Sequence, residues 1–263
     1  ITGFGPFLFK ENFKNKFLFK VYKCIFRSRK KMTNTKFIFQ NTEDKNIFID
    51  LGFTTEKRVV VIHGSGINLM RHPFRNRDSE KSLSFLFASR LVKAKGIREY
   101  LKAAQVIKEA YPEIAIYIAG KYDQKDPDKI SKELFHEIKN ANYAEYLGDI
   151  THDEIHRTYM NSDIFVLPSY GEGLPKAALE AAASGMPLIL SDVSGCKECL
   201  KNKNNGLFVK SQDVESTKSA MEWMILNHKQ VPFMSKASRA LIEKKFSINE
   251  IFYSYKNLIT KIK

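Results

Sequence analysis

At 263 residues and 43% hydrophobic content, the chain is long enough for one large domain or two small ones with an ample core. Three cysteines, Cys24, Cys196 and Cys199, are too few for a disulfide framework and fit a reducing compartment. No apolar run reaches the roughly 18 residues a membrane span requires, and no leader pattern is visible. The first residue is Ile1, so the sequence is expected to begin inside a longer reading frame.

The net charge of +14 is uneven. Residues 1–36 hold eight Lys and two Arg against Glu11 alone, a net +9 of that total. A local basic segment studded with aromatics fits an anionic surface such as a membrane better than it fits nucleic acid. Residues 7–31 have helical spacing, with Phe13, Phe17, Val21 and Cys24 on one stripe. Lys16, Lys20, Lys23, Arg27 and Lys30 fall on the adjacent one. Two readings follow: a helix lying on a membrane, or an ordinary helix with its apolar side in a core.

Phe37-Ile-Phe-Gln40 and Val59-Val-Val-Ile62 read as short buried strands, with a small helix near Asp44–Leu51 between them. A polar, basic stretch from Gly64-Ser-Gly66 to about Ser82 reads as a linker, with the domain boundary near residue 75. After it the pattern is regular. Strands are predicted at Phe85–Ala88, Ile114–Ala119, Ala144–Leu147, Ile164–Leu167, Leu188–Leu190 and Leu207–Val209. Helices are predicted near 97–110, 129–139, 152–161, 175–184, 195–201 and 214–228, with two more in 233–263 joined at Phe246-Ser-Ile. Such alternation implies an α/β fold with a parallel sheet covered on both faces. Thr151-His-Asp-Glu154 has the spacing of a capping box.

In such sheets ligands bind at the carboxyl ends of the strands. Arg90 and Lys95 follow the first strand of this array, Gly120 and Lys121 the second. After the fourth comes Pro168-Ser-Tyr-Gly-Glu-Gly-Leu-Pro-Lys-Ala-Ala-Leu-Glu180, closed by Ser184-Gly185. It sets Glu172 on a Gly-flanked loop and Glu180 on the helix behind it. Pro175 suits the first helical turn and Gly185 the helix end. The helix N-terminus favours an anion through its free N–H groups and its dipole, and two cations can neutralise a diphosphate. Taken alone, these acids and cations also read as solvated surface groups.

Together the motifs resemble the C-terminal half of the group 1 retaining glycosyltransferases (family 4), which have the GT-B fold. The segments that carry the resemblance run in the family's order. They are Phe37-Ile-Phe-Gln-Asn41, Gly64-Ser-Gly-Ile-Asn68 with Pro73, Ser89-Arg90 with Lys95-Gly96, Glu145-Tyr-Leu-Gly148, Asp163-Ile-Phe-Val-Leu-Pro-Ser169, and Gly195-Cys-Lys-Glu198 with Asn205-Gly206. The paired-Glu segment is the specific one. The resemblance implies one complete Rossmann-like C-terminal domain over 76–245 and the final part of an N-terminal, acceptor-side Rossmann-like domain over 1–75. A last helix at 246–263 would pack back on the N-terminal domain.

The resemblance also implies roles. Arg90 and Lys95 would bind the donor's pyrophosphate, and Glu172 would approach the hydroxyls of the donor sugar, these three forming the catalytic set. Glu180 would accept hydrogen bonds from the ribose. Gly173 and Leu174 would touch sugar or phosphate through their N–H groups, with Ser65 and Gly66 completing the donor side. No metal or other cofactor is expected. The substrates implied are a nucleotide sugar, a UDP-sugar first, and a glycan or lipid-linked acceptor in surface polysaccharide, capsule or lipopolysaccharide assembly. The setting would be the cytoplasm, at the inner membrane face. Gly171 stands where the family often has a larger, basic residue, which leaves the donor open.

Other readings are a nucleotide-sugar-binding remnant or split half that needs a separate N-terminal part, and a basic membrane- or nucleic-acid-binding protein. No nucleic-acid motif supports the last. A dehydrogenase is excluded because Ser-Arg-Leu-Val-Lys-Ala-Lys follows the strand at Phe85 in place of a Gly-x-Gly-x-x-Gly turn. His152 and His156, four apart, could face one metal, but no third ligand is evident and a structural role is favoured. Cys196 and Cys199 form a C-x-x-C at a helix start, where a thiolate would be favoured; a structural role is expected there too.

Overall fold

The computed structural model describes residues 35–77 and 82–260. The expected basic helix at 7–31 lies outside the described residues. Two parallel sheets are present: a two-stranded one and a six-stranded one.

The small sheet pairs β1 (Phe37–Phe39) with β2 (Val59–Val61) around α1 (Thr42–Asp50). Asn41 opens α1: its side-chain oxygen accepts the Asp44 N–H, the usual N-cap contact. The strands were expected to be buried. Phe39 is, inside a cluster with Phe48 and Phe53, but β2 is only half-buried because that cluster covers one side of it.

The large sheet runs β5–β4–β3–β6–β7–β8, all parallel. Its strands are β3 (Ser84–Ala88), β4 (Ala115–Ala119), β5 (Glu145–Gly148), β6 (Ile164–Leu167), β7 (Leu188–Ser191) and β8 (Gly206–Val209). Between them lie α2 (Ile97–Ala110), α3 (Lys132–Asn140), α4 (Ile155–Asn161), α5 (Lys176–Ala183) and α6 (Ser194–Cys199). The chain ends with α7 (Val214–Leu226), α8 (Val231–Lys245) and α9 (Ile248–Thr260). β3, β6 and β7 are buried at every position, which is why they read as unbroken apolar runs rather than alternating ones. The chain builds from β3 outward to β5, then returns to place β6 on the other side of β3. That reversal is the topological switch point, where a crevice opens at the strands' carboxyl ends.

Two local expectations are corrected. α4 starts at Ile155, and its start carries no side-chain cap bond. The Thr151 hydroxyl instead donates to the Glu154 carboxylate at 2.7 Å, so the two capping residues satisfy each other rather than the backbone. The stretch read as a polar linker is, over 72–77, built into the fold. Arg77 is fully buried and donates to the carbonyls of Arg75, Tyr159, Ser162 and Ser184 at 2.6–3.2 Å. Arg75 pairs with Asp163 at 2.9 Å. These cations meet carbonyls at the ends of α4 and α5, which carry partial negative charge. Composition misled because a guanidinium with several carbonyl acceptors can be buried.

Candidate active site

Two loops meet over the crevice between β3 and β6. The first leaves β3 at Ala88, carries Arg90, and turns through a short 3-10 stretch, Lys93–Lys95, into α2. Gly96 joins the two at φ +72°, and a side chain there would overlap the carbonyl of Pro168 at the end of β6. The second loop leaves β6 and passes through Glu172 to α5. Tyr170 ties it to the first: its N–H donates to the Ala94 carbonyl at 2.8 Å and its hydroxyl to Glu99 at 2.9 Å. Burial, and then the Glu99 bond, push the Tyr170 hydroxyl up to about 12, so it stays a donor across the physiological range.

With the loops so tied, Lys95 Nζ stands 2.6 Å from Glu172 Oε1. The carboxylate is 8% exposed and the ammonium 22%. Glu180, buried on α5, is not a solvated helix position. Its carboxylate has Lys176 Nζ at 3.5 Å, the Tyr159 hydroxyl at 3.5 Å and His152 Nδ1 at 3.9 Å. No closer partner occurs among the described residues, so its acceptor capacity is largely unspent. Burial, and then the Glu180 charge, drive the Tyr159 hydroxyl well above its ordinary value, which keeps it a donor.

Glu180, Tyr159 and His152 share a cavity of about 250 Å³ with Arg90, Gly120 and Lys121, at the carboxyl ends of β3 and β4. Of the expected site residues, then, Arg90 and Glu180 are brought onto one cavity, and Lys95 and Glu172 onto each other. Arg90 is two-thirds exposed and pairs with Asp126 at 2.5 Å. Leu174 lies beside Gly64, where an added Cβ would sit 3.2 Å from Leu174 Cδ2. Ser65 is exposed, and Gly66 packs against the backbone of Ile248.

The loop is also held from behind. Gly195 N–H donates to the Glu172 carbonyl at 3.0 Å, and Asn41 Nδ2 donates to the Gly173 carbonyl at 2.7 Å. Sequence reasoning missed Tyr159, His152, Asp126 and Asn41 as neighbours of the site. His152 was singled out only as half of a His pair, and Asn41 only within a resemblance segment, although an Asn just before a helix is a cap signal. A thiolate at Cys196 is ruled out: both cysteines are fully buried, and burial pushes Cys196 well above its ordinary value and Cys199 likewise upward. Among the described residues no group of three or more His, Cys, Asp or Glu side chains is gathered as a metal site, His152 and His156 included. No helix of the described residues is long and apolar enough to cross a membrane.

The chain is thus a doubly wound α/β domain whose switch-point loops carry two acids and two cations. More narrowly, the chain belongs to the family Glycosyl transferases group 1, whose model matches residues 71–241. It is 28% identical over 241 residues to the N,N'-diacetylbacillosaminyl-diphospho-undecaprenol alpha-1,3-N-acetylgalactosaminyltransferase of Campylobacter jejuni, covering 87% of this chain and 61% of that one. It is 29% identical over 250 residues to the UDP-Gal:alpha-D-GlcNAc-diphosphoundecaprenol alpha-1,3-galactosyltransferase of Escherichia coli, covering 90% and 63%. The chain thus spans about three fifths of the length of these relatives. Among solved structures it superposes on Anabaena HepE in complex with UDP-glucose, with TM-score 0.74, 16% identity, and coverage of 91% of this chain and 68% of that one. The fold is that of the GT-B glycosyltransferases, as the sequence implied.

Proposed function

We propose that this chain is the donor-binding part of a retaining glycosyltransferase that moves a sugar from a UDP-sugar to a lipid-linked glycan acceptor. The observation that carries the reading is the placement of Lys95–Glu172, Arg90 and Glu180 around the switch point of a doubly wound sheet. The relatives' names support the substrate classes, since both act on diphospho-undecaprenol-linked sugars and one on UDP-Gal.

In this reading the anomeric C–O bond to the diphosphate breaks and negative charge grows on the leaving phosphate. Lys95, Arg90 and the N–H groups that open α5 stabilise that charge more in the transition state than in the ground state. The diphosphate competes with Glu172 for Lys95, which frees the Glu172 carboxylate to orient the donor sugar's hydroxyls. The acceptor oxygen attacks from the face the diphosphate leaves, and its proton passes to the departing phosphate oxygen. Glu180 holds the ribose from its buried position. The reading assigns no step to a metal. The reaction would take place where the lipid-linked acceptor lies, at the inner membrane face.

The test is turnover by the full reading frame containing this chain, with UDP-, GDP- and ADP-sugars and a polyprenyl-diphosphate saccharide. Sugar transfer from a UDP-sugar with retained anomeric configuration is expected. Transfer with inversion, or none from any UDP-sugar, overturns the reading.

A further inference from the structure

We infer that Asn41, on the small-sheet side of the molecule, is a positioning residue that aims two backbone N–H groups of the Glu172 loop at the donor's diphosphate. The inference rests on the donor reading above and deepens it.

The argument starts with the peptide unit. In a trans peptide the C=O and the following N–H point in opposite directions. Fixing the carbonyls of Glu172 and Gly173 therefore fixes the N–H groups of Gly173 and Leu174. Both carbonyls are fixed. The Glu172 carbonyl accepts from Gly195 N–H on α6 at 3.0 Å, and the Gly173 carbonyl accepts from Asn41 Nδ2 at 2.7 Å. The two N–H groups therefore face away from α6 and Asn41, and neither has a hydrogen-bond partner among the described residues. Adjacent free N–H groups make an anion-binding concavity.

Asn41 is itself tied on several sides. It is fully buried, its oxygen caps α1 by accepting Asp44 N–H at 2.7 Å, and its Nδ2 also donates to Asp44 Oδ2 at 2.9 Å. The start of α1 is clamped to α6: Thr42 N–H donates to Glu198 at 2.8 Å, and Lys197 pairs with Glu43 at 2.7 Å. Gly195 lets α6 come this close. A Cβ there would sit 2.5 Å from both the Glu172 and Gly173 carbonyl oxygens. The contact also spans 132 positions of chain, joining the small sheet to the large one at the site.

The double substitution Asn41→Asp with Asp44→Asn isolates the role. It keeps the cap acceptor and the side-chain pair with donor and acceptor exchanged, and sets a carboxylate oxygen against the Gly173 carbonyl in place of the donor. Calorimetric titration of the 263-residue chain with UDP and with UMP gives the readout, with thermal unfolding alongside. The swap is expected to weaken UDP about tenfold, the worth of one oriented hydrogen-bond donor set, while UMP affinity holds. Gly195→Ala, which pushes on the same two carbonyls from behind the loop, should reproduce that selective loss. Unchanged UDP affinity in the swap overturns the inference, as does an equal loss for UDP and UMP, which would make Asn41 merely structural. If the unsubstituted chain binds neither nucleotide, the donor reading fails and takes this inference with it, and the wild-type titration alone reveals that case.

Discussion

Glu180→Gln separates a ligand-binding role from a structural one. The carboxylate is buried, yet its nearest partners stand at 3.5–3.9 Å, so it carries a desolvation cost with little return in the unliganded state. Glutamine keeps the volume and removes the charge. Stability should therefore hold or rise, by up to about 1 kcal/mol, since a buried charge without close pairing is weak support for a fold. Binding should respond oppositely. A hydrogen bond to a charged acceptor contributes roughly 1.5–3 kcal/mol against roughly 0.5–1.5 for a neutral one. For two ribose hydroxyls the difference is about 2–3 kcal/mol, a roughly 30- to 150-fold loss of UDP affinity. Calorimetric titration and thermal unfolding, on the same samples, give both numbers. Undiminished affinity would refute the ribose assignment. A fall in unfolding temperature as large as the fall in affinity would show that Glu180 serves the fold instead.

Three further outcomes follow from the geometry. Lys95→Met removes a cation 2.6 Å from Glu172 and leaves an enclosed carboxylate unpaired, so UDP affinity should drop at least about 30-fold with UMP less affected, as read by the same titration. Arg77→Met strands four carbonyl acceptors; at about 1 kcal/mol each the cost is about 4 kcal/mol, or roughly 8–16 °C in unfolding temperature by calorimetry. His72 is buried, and its imidazole is lowered to about 4 by that burial first and then by His152, His156, Lys176 and Arg239. Because its folded value lies below its unfolded one, the unfolded chain binds the extra proton between the two. Stability is therefore full above about pH 6.5 and falls as pH drops toward 4, by about 3 kcal/mol from this group. Denaturant unfolding at pH 7 and pH 5 should show that slope shrink in His72→Gln, and an unchanged slope would contradict it.

How much of this was legible in the sequence depends on how local the cause is. The strands β3, β6 and β7 were readable because burial on both faces makes them continuous apolar runs. The positions of Arg90 and Lys95 after β3, and of Glu172 and Glu180 after β6, were readable because loop and helix punctuation marks each strand–loop–helix unit, while their roles rested on the family resemblance alone. What failed was decided at long range. Arg77 looked solvated because nothing in its neighbourhood announces the carbonyls of Tyr159 and Ser184 that enclose it. The Thr151 box had the right spacing, but the chain turns once more before α4 begins. Cys196 sits at a helix start, which favours a thiolate, but burial outweighs the dipole there. Asn41 was visible only as part of a segment that carries the family resemblance, while its hold on Gly173 arises only when the two sheets are placed side by side.

The central claim, a nucleoside diphosphate seated at the switch point, is tested most directly by a crystal structure of the chain with UDP. The account predicts the ribose within hydrogen-bond distance of Glu180, and the diphosphate against Lys95, Arg90 and the N–H groups of Gly173 and Leu174, with the Lys95–Glu172 pair opened. UDP bound elsewhere, or in the crevice with the Lys95–Glu172 pair intact and Glu180 untouched, would contradict it.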